Sequence, residues 1–158
     1  MSSQPPILRQ TGIRDVTFGR AVTVVQPANL YECSIGDDCF VGPFTEIQSD
    51  VTIGPRTRIQ SHAFICSLVT IGADCFIGHG AKFVNDDFKM GGPAHGDVAR
   101  YGKTVIEDHV SIGTNATLLP VRVVAGSVIG AGAVVTRDIT QKGIYAGNPA
   151  RLIRKIEP

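Results

Sequence analysis

From Ile35 onward the chain can be cut into consecutive sixes: IGDDCF, VGPFTE, IQSDVT, IGPRTR, IQSHAF, ICSLVT, IGADCF, IGHGAK and FVNDDF. The first place is apolar in every one, held by Ile35, Val41, Ile47, Ile53, Ile59, Ile65, Ile71, Ile77 and Phe83. The fifth place is small from Cys39 to Ala81 and then breaks at Asp87. The period resumes as IEDHVS, IGTNAT, LLPVR, VVAGSV, IGAGAV and VTRDIT, with the rung at residues 118–122 one residue short. Apolar residues at i, i+4 and i+6 do not share one face of a helix. They do suit short parallel strands joined by bends, each inward pair filling one rung of a coil. With three rungs per coil, residues 18 apart stack at the strand spacing of about 4.8 Å. Gly36, Gly42, Gly54, Gly72, Gly78, Gly113 and Gly130, all at the second place, are expected to supply permissive bends. A β-sandwich would instead alternate, with turns every ~8–12 residues.

Composition fits such a coil. Eighteen Gly, no Trp and 43% apolar residues describe a chain of small and β-branched side chains. The formal net charge of +1 removes the electrostatic case for a nucleic-acid binder or a polybasic membrane anchor. Charge is uneven, however. Residues 1–79 carry 5 basic and 7 acidic groups and residues 80–158 carry 10 and 7, so an anionic ligand would prefer the second half. The opening MSSQPPILRQ has neither a basic n-region nor an apolar h-region, and no apolar run reaches about 18 residues, so a cytoplasmic protein is expected. Cys33, Cys39, Cys66 and Cys75 form no C-x-x-C pair and read as small apolar residues.

Function is expected where the repeat becomes irregular, because a solenoid needs only its inward columns and bends for stability. The expected plan is a single domain: a lead segment over 1–28, coils over 29–88, a protruding loop over 89–104, coils over 105–139 and a tail over 140–158. Asp87 falls where a core residue is due, and burying an unpaired carboxylate is costly, so the coil should open near Asn85. The following segment is rich in Gly and Pro, and so long an excursion from a compact fold is characteristic of a functional loop. His79 stands at the third place of its rung between two glycines, an unshielded imidazole suited to general-base work near neutral pH. His62 lies 17 residues earlier, near the same corner, as a packed surface residue or a supporting partner. Asp86, Asp87 and His95 are candidates for holding a substrate, with solvation of the loop as the competing account. In the tail, Gly147 and Pro149 fix a turn, while Arg151, Arg154 and Lys155 offer cations to phosphates.

The hexad pattern over residues 29–156 resembles that of the hexapeptide-repeat acyltransferases. The resemblance implies an all-β fold, a left-handed parallel β-helix with an inserted loop, assembled as a homotrimer. Handedness comes only from this likeness, since the general crossover rule predicts a right-handed path. The stretch CFIGHGAKFVND is similar to N-acetyltransferases acting on nucleotide-linked amino sugars, in which a Phe-x-Asn element, here Phe83 and Asn85, closes the rung beside the acceptor. The run GNPAR resembles the C-terminal element of acetyl-coenzyme A users, which implies that Gly147, Asn148, Pro149, Arg151 and Arg154 lie by the coenzyme's nucleotide end. Thr114 and Ala131, 17 apart across the short rung, should stack and line a groove for the pantetheine arm.

The implied reaction is direct transfer of an acetyl group from acetyl-CoA to the amine of a dTDP- or UDP-linked amino sugar. His79 would act as base and Asn85 would hold the acceptor or the oxyanion, with no metal and no covalent enzyme intermediate. His79 and Asn85 fall on successive corners, so a site between subunits is expected. Three alternatives stay open. An O-acetyltransferase of the same fold would depend more strictly on the histidine. A non-enzymatic scaffold accounts for the repeat but not for the loop, imidazole and tail together. The γ-type carbonic anhydrases bind zinc through three histidines, but this chain lacks their H-x4-H spacing.

Overall fold

The computed structural model describes residues 5–8 and 10–156; the first four residues of the lead segment, residue 9 and the last two of the tail lie outside the described residues. Among the described residues, twenty-one short strands form a left-handed parallel β-helix of about seven coils with three flat faces. The first face stacks seven strands: Ile13–Arg14, Asn29–Tyr31, Glu46–Ile47, Phe64–Ile65, Lys82–Phe83, Thr117–Leu118 and Val134–Val135. The second runs from Thr17–Phe18 to Arg122–Val123 in six strands, and the third from Thr23–Val24 to Arg151–Lys155 in eight. All pairings are parallel except the last, where Arg151–Lys155 folds back on Gly143–Ala146.

The core is the two columns read from the repeat. Ile35, Val41, Ile47, Ile53, Ile59, Ile65, Ile71, Ile77 and Phe83 are all buried, and so are the fifth-place residues from Cys39 to Ala81. A fully buried aliphatic of this size contributes about 1.5–3 kcal/mol, and the column places them one above another, for example Ile59 over Ile77 and Ile112 over Ile129. The four cysteines are free and buried, and burial pushes the thiol of Cys66 up to about 12 and that of Cys33 up to about 11.

Two expectations are corrected. The lead segment is not outside the solenoid, because Ile13–Arg14, Thr17–Phe18 and Thr23–Val24 form a complete first coil that pairs with the second. Ile13, Phe18 and Val24 head its rungs, but the end coil leaves Ile13 and Phe18 exposed, which weakens the apolar pattern. The second-place glycines are not there for backbone freedom either. Positive φ occurs at the fourth place, in Asp38, Phe44, Asp50, Arg56, His62, Leu68 and Asp74. At the second place the demand is space: a Cβ on Gly54 would sit 2.5 Å from the carbonyl carbon of Gly72, and one on Gly78 2.6 Å from the Ile112 carbonyl oxygen.

The chain leaves the coil after Lys82–Phe83 and re-enters it at Thr104–Ile106, whose strand pairs with Val69–Ile71 as though the excursion were absent. Residues 84–103 therefore form the protruding loop, which contains one turn of 3-10 helix at Val98–Arg100. The short rung reduces the stacking interval from 18 to 17, so that Ile106 pairs with Val123 and Leu118 with Val135.

Candidate active site on one corner of the coil

The corner joining the third face to the first carries a ridge of third-place residues. Ser61, His79, Thr114 and Ala131 follow one another on successive coils, each joined to the next by main-chain bonds. Gly80 N–H donates to the Ser61 carbonyl at 2.9 Å, Asn115 N–H to that of His79 at 2.8 Å, and Gly132 N–H to that of Thr114 at 2.8 Å. Gly147 continues the ridge, its carbonyl accepting from Val134 N–H at 2.9 Å. Four residues expected to serve a base and a coenzyme, His79, Thr114, Ala131 and Gly147, thus lie along one line. Above His79 the ridge carries small side chains, and nothing approaches within 4 Å of where a Cβ on Gly132 would be, so the surface there is open.

His79 is exposed, and its Nδ1 lies 2.8 Å from the hydroxyl of Ser61 directly beneath. When Nδ1 carries the proton and donates to Ser61 Oγ, Nε2 is left as an outward acceptor, the tautomer a base requires. Ser61 was legible in principle, because it lies 18 residues before His79, the interval of this part of the coil. His62, at 17, instead turns its ring onto Phe44, with centroids 5.0 Å apart.

Asn85 is not beside His79 in one chain. It follows the strand Lys82–Phe83, whereas His79 precedes it, so the two occupy neighbouring corners. Asn85 Nδ2 donates to the Ser67 hydroxyl at 2.8 Å and to the Ser67 carbonyl at 3.3 Å, while its own carbonyl accepts from Gly102 N–H at 2.7 Å. Both ends of the loop are pinned at this residue. Nδ2 is thus engaged with Ser67, which leaves Oδ1 as the atom of the side-chain amide without a partner here.

The loop is organised from within. Asp86 accepts from Ala94 N–H at 2.6 Å and from Phe88 N–H at 3.2 Å, which buries Ala94 and directs this carboxylate to the loop's own backbone. Arg100 donates to the carbonyls of Gly92 and Pro93. Asp87 and His95 remain exposed, as do the apolar side chains of Phe88, Met90 and Val98. In the tail, Gly147, Asn148 and Pro149 form an exposed turn stitched to Val134 by Ala150 N–H at 2.8 Å. Arg151 and Arg154 are exposed on the terminal strand.

Three concavities among the described residues lie away from His79 and Asn85. One of about 740 Å³ is lined by Arg14, Asn29, Tyr31 and Glu32, one of about 230 Å³ lies beside Phe44, and one of about 200 Å³ lies between Val135 and Leu152. Among the described residues no three His, Cys, Asp or Glu side chains gather as metal ligands would. The corner between the second and third faces differs sharply from the ridge. There Arg56 forms two hydrogen bonds of 2.7 Å to Asp74, with His109 at 3.9 Å from the same carboxylate. The Arg56 guanidinium holds the Asp74 carboxyl below its usual range.

Two family models match this chain: one described as bacterial transferase hexapeptide over residues 32–67, the other as the hexapeptide repeat of succinyl-transferase over 103–137. Both matched segments are hexapeptide-repeat segments of the kind these transferase models describe. The two matches flank the loop. Among curated relatives, a protein of Schizosaccharomyces pombe named as a candidate acetyltransferase is 38% identical over 93 residues, 58% of this chain and 45% of its own. A tetrahydropyridine-dicarboxylate N-acetyltransferase of Staphylococcus aureus is 46% identical over 52 residues, 32% of this chain and 22% of its own. This chain thus spans less than half the length of these relatives. Among solved structures, an N-acyltransferase from Bacillus cereus, crystallised with dTDP and coenzyme A, superposes with TM-score 0.79 at 23% identity, over 89% of this chain and 84% of that one. A hexapeptide-repeat acetyltransferase from Vibrio cholerae, crystallised with acetyl-CoA, has TM-score 0.67 at 26% identity, over 78% and 71%.

Proposed function

We propose that the protein transfers an acetyl group from acetyl-CoA to the amino group of a nucleotide-linked amino sugar, dTDP- or UDP-linked, as a homotrimer with sites between subunits. The observation that carries this reading is the ridge itself, with an imidazole oriented by Ser61 and continued in one direction by Thr114, Ala131 and Gly147. Small side chains there leave room for a pantetheine arm along the ridge, and Arg151 and Arg154 offer cations to its phosphates. Crystallised neighbours of the same fold hold coenzyme A with dTDP, or with GDP-perosamine, which supports the ligand class. A cytoplasmic location fits a coenzyme A thioester as donor.

In this reading His79 Nε2 takes the proton as the amine attacks, the C–N bond forms, and the C–S bond breaks to release the thiolate. Most of the acceleration comes from holding the amine against the thioester. Asn85 Oδ1, with Asp87 and His95 of the loop, contributes to acceptor binding from a neighbouring subunit's corner, because the two corners of one chain face apart. Asp86 serves by shaping the loop.

The test is a thiol-release assay across dTDP-, UDP- and GDP-linked amino sugars, with light scattering for the assembly. Release with an amino sugar and not with its hydroxyl counterpart is expected, and His79→Asn should reduce turnover about 10²–10⁴-fold while unfolding at the wild-type temperature. Release with none of these sugars, or full activity from a stable monomer, refutes the reading.

A further inference from the structure

The ridge does not end at His79 on its N-terminal side. One coil below it stands Ser61 and beside that the exposed ring of His62. One coil further stands Phe44, 59% exposed although it is a large apolar side chain. Phe44 occupies the left-handed fourth place, with φ 59°, which directs its ring outward, and the His62 ring tilts against it at 35°. Beyond Phe44 lies the concavity of about 230 Å³, lined by Pro27, Ala28, Asn29, Thr45 and Glu46. Between His79 and His62, on the first face, Lys82 extends its ammonium to the corner, where Nζ donates to the His62 carbonyl at 2.6 Å. The strip therefore presents, in order, an imidazole with a free nitrogen, a cation, and an aromatic platform with a hollow behind it.

We propose that Phe44, with His62, is the platform on which the nucleobase of the acceptor stacks, with the diphosphate passing Lys82. This rests on the proposed reading and adds to it where the nucleotide half of the substrate is held. The order of groups matches an amino sugar, a diphosphate and a base. The spacing matches as well: Phe44 lies two coils from His79, about 10 Å at the strand spacing, a span that a diphosphate and a pentose bridge when extended. The opposite direction from His79 is occupied by the small-residue ridge and the basic tail, which suit a second, longer ligand. A flat aromatic surface tolerates any base, so the platform supplies affinity, and the choice among uracil, thymine and guanine falls to the polar rim of the hollow at Asn29, Thr45 and Glu46.

The test compares Phe44→Ala, Phe44→Trp and Lys82→Met in the full chain, using a nucleotide-linked amino sugar and the corresponding amino-sugar 1-phosphate as acceptors. Phe44→Ala should raise KM for the nucleotide sugar about five-fold to about a hundred-fold, with kcat unchanged, and should leave the sugar phosphate unaffected. Phe44→Trp should retain the affinity, its fluorescence quenched saturably by free UDP, dTDP or GDP. Lys82→Met should weaken both acceptors. Equal losses on both acceptors for Phe44→Ala, or no loss on either, overturn the platform while leaving the acetyltransferase reading intact. If no amino sugar releases thiol at all, that reading falls. The Trp signal then decides the platform separately, since saturable quenching supports it and unchanged fluorescence overturns it.

Discussion

Replacing Gly54 with Ala isolates the packing rule of this coil from its backbone rule. The added Cβ would meet the carbonyl carbon of Gly72 at 2.5 Å and the amide nitrogen of Ala73 at 2.6 Å, against the 3.0 Å that real Cβ atoms keep, so the coils must part locally by about half an ångström. Neither contact is a side chain that can swing away. Overpacking of this kind costs about 1–3 kcal/mol. The main-chain bonds from Gly54 N–H to Ile71 and from Gly72 N–H to Ile106, 2.7 and 2.8 Å long, must lengthen, which costs about 1 kcal/mol more. The smaller entropy of the unfolded alanine chain returns about 0.4–1 kcal/mol. The net loss is about 1–4 kcal/mol, which for a chain of this length lowers Tm by about 2–14 °C at fixed protein concentration. Gly132 is the control, because it has φ +67° and nothing within 4 Å of its added Cβ. Gly132→Ala should lose only the left-handed cost of about 1 kcal/mol. Thermal unfolding of both variants decides the matter: a Gly54 variant as stable as the wild type, or more stable than the Gly132 variant, refutes close stacking as the reason for these glycines.

Acid should loosen the fold through a small set of carboxylates. The Asp37 carboxyl is held below its usual range by the Arg20 N–H and guanidinium, Asp74 by Arg56, and Glu107 by the Ala125 N–H and Arg122. A depressed folded-state value means stability that is complete above the ordinary carboxylate range, near about pH 4, and lost as pH falls through the folded values. Asp74→Asn should therefore lower the neutral plateau of a Tm–pH curve slightly and converge with the wild type as pH falls below about 4, which flattens the acid limb; an unchanged difference between the two proteins from neutral pH into acid contradicts the assignment. Ser127 Oγ is the buried side-chain polar atom without a hydrogen-bond partner among the described residues, in a column otherwise filled by small side chains. Ser127→Ala should be neutral or stabilising by about 1 kcal/mol in the same assay, and a clear loss would reveal a partner for the hydroxyl.

The coil was legible in the sequence because its period is local: each rung repeats the same inward pair, so Ile35 to Phe83 announce the column without any distant information. The exit at Asn85 was legible for the same reason, as Asp87 is the first fifth-place residue that cannot be buried. The first coil was less visible because an end coil has only one neighbour, and Ile13 and Phe18 need not be fully covered. Ser61 was missed by a single position, since pairing to His79 depends on the stacking interval being 18 there and 17 only beyond the short rung. Two further residues, Ser67 and Lys82, carry no signal of their own, because a serine at a corner or a lysine on an outward face is ordinary in a repeat of this kind.

The amino-acid sequence by itself determined the period, the filling of the interior and the place where the regular path breaks, since these depend on side-chain size and polarity read in order along the chain. Only the tertiary structure decided which groups meet. Stacking brings together residues a whole coil apart, setting Ser61 under His79, His62 against Phe44 and Ser67 against Asn85. The spacing between coils, fixed by main-chain hydrogen bonds, turned the second-place glycines from apparent hinges into points of contact. A one-residue change in any rung would rotate that alignment, which is why the partners of the site are a property of the folded register.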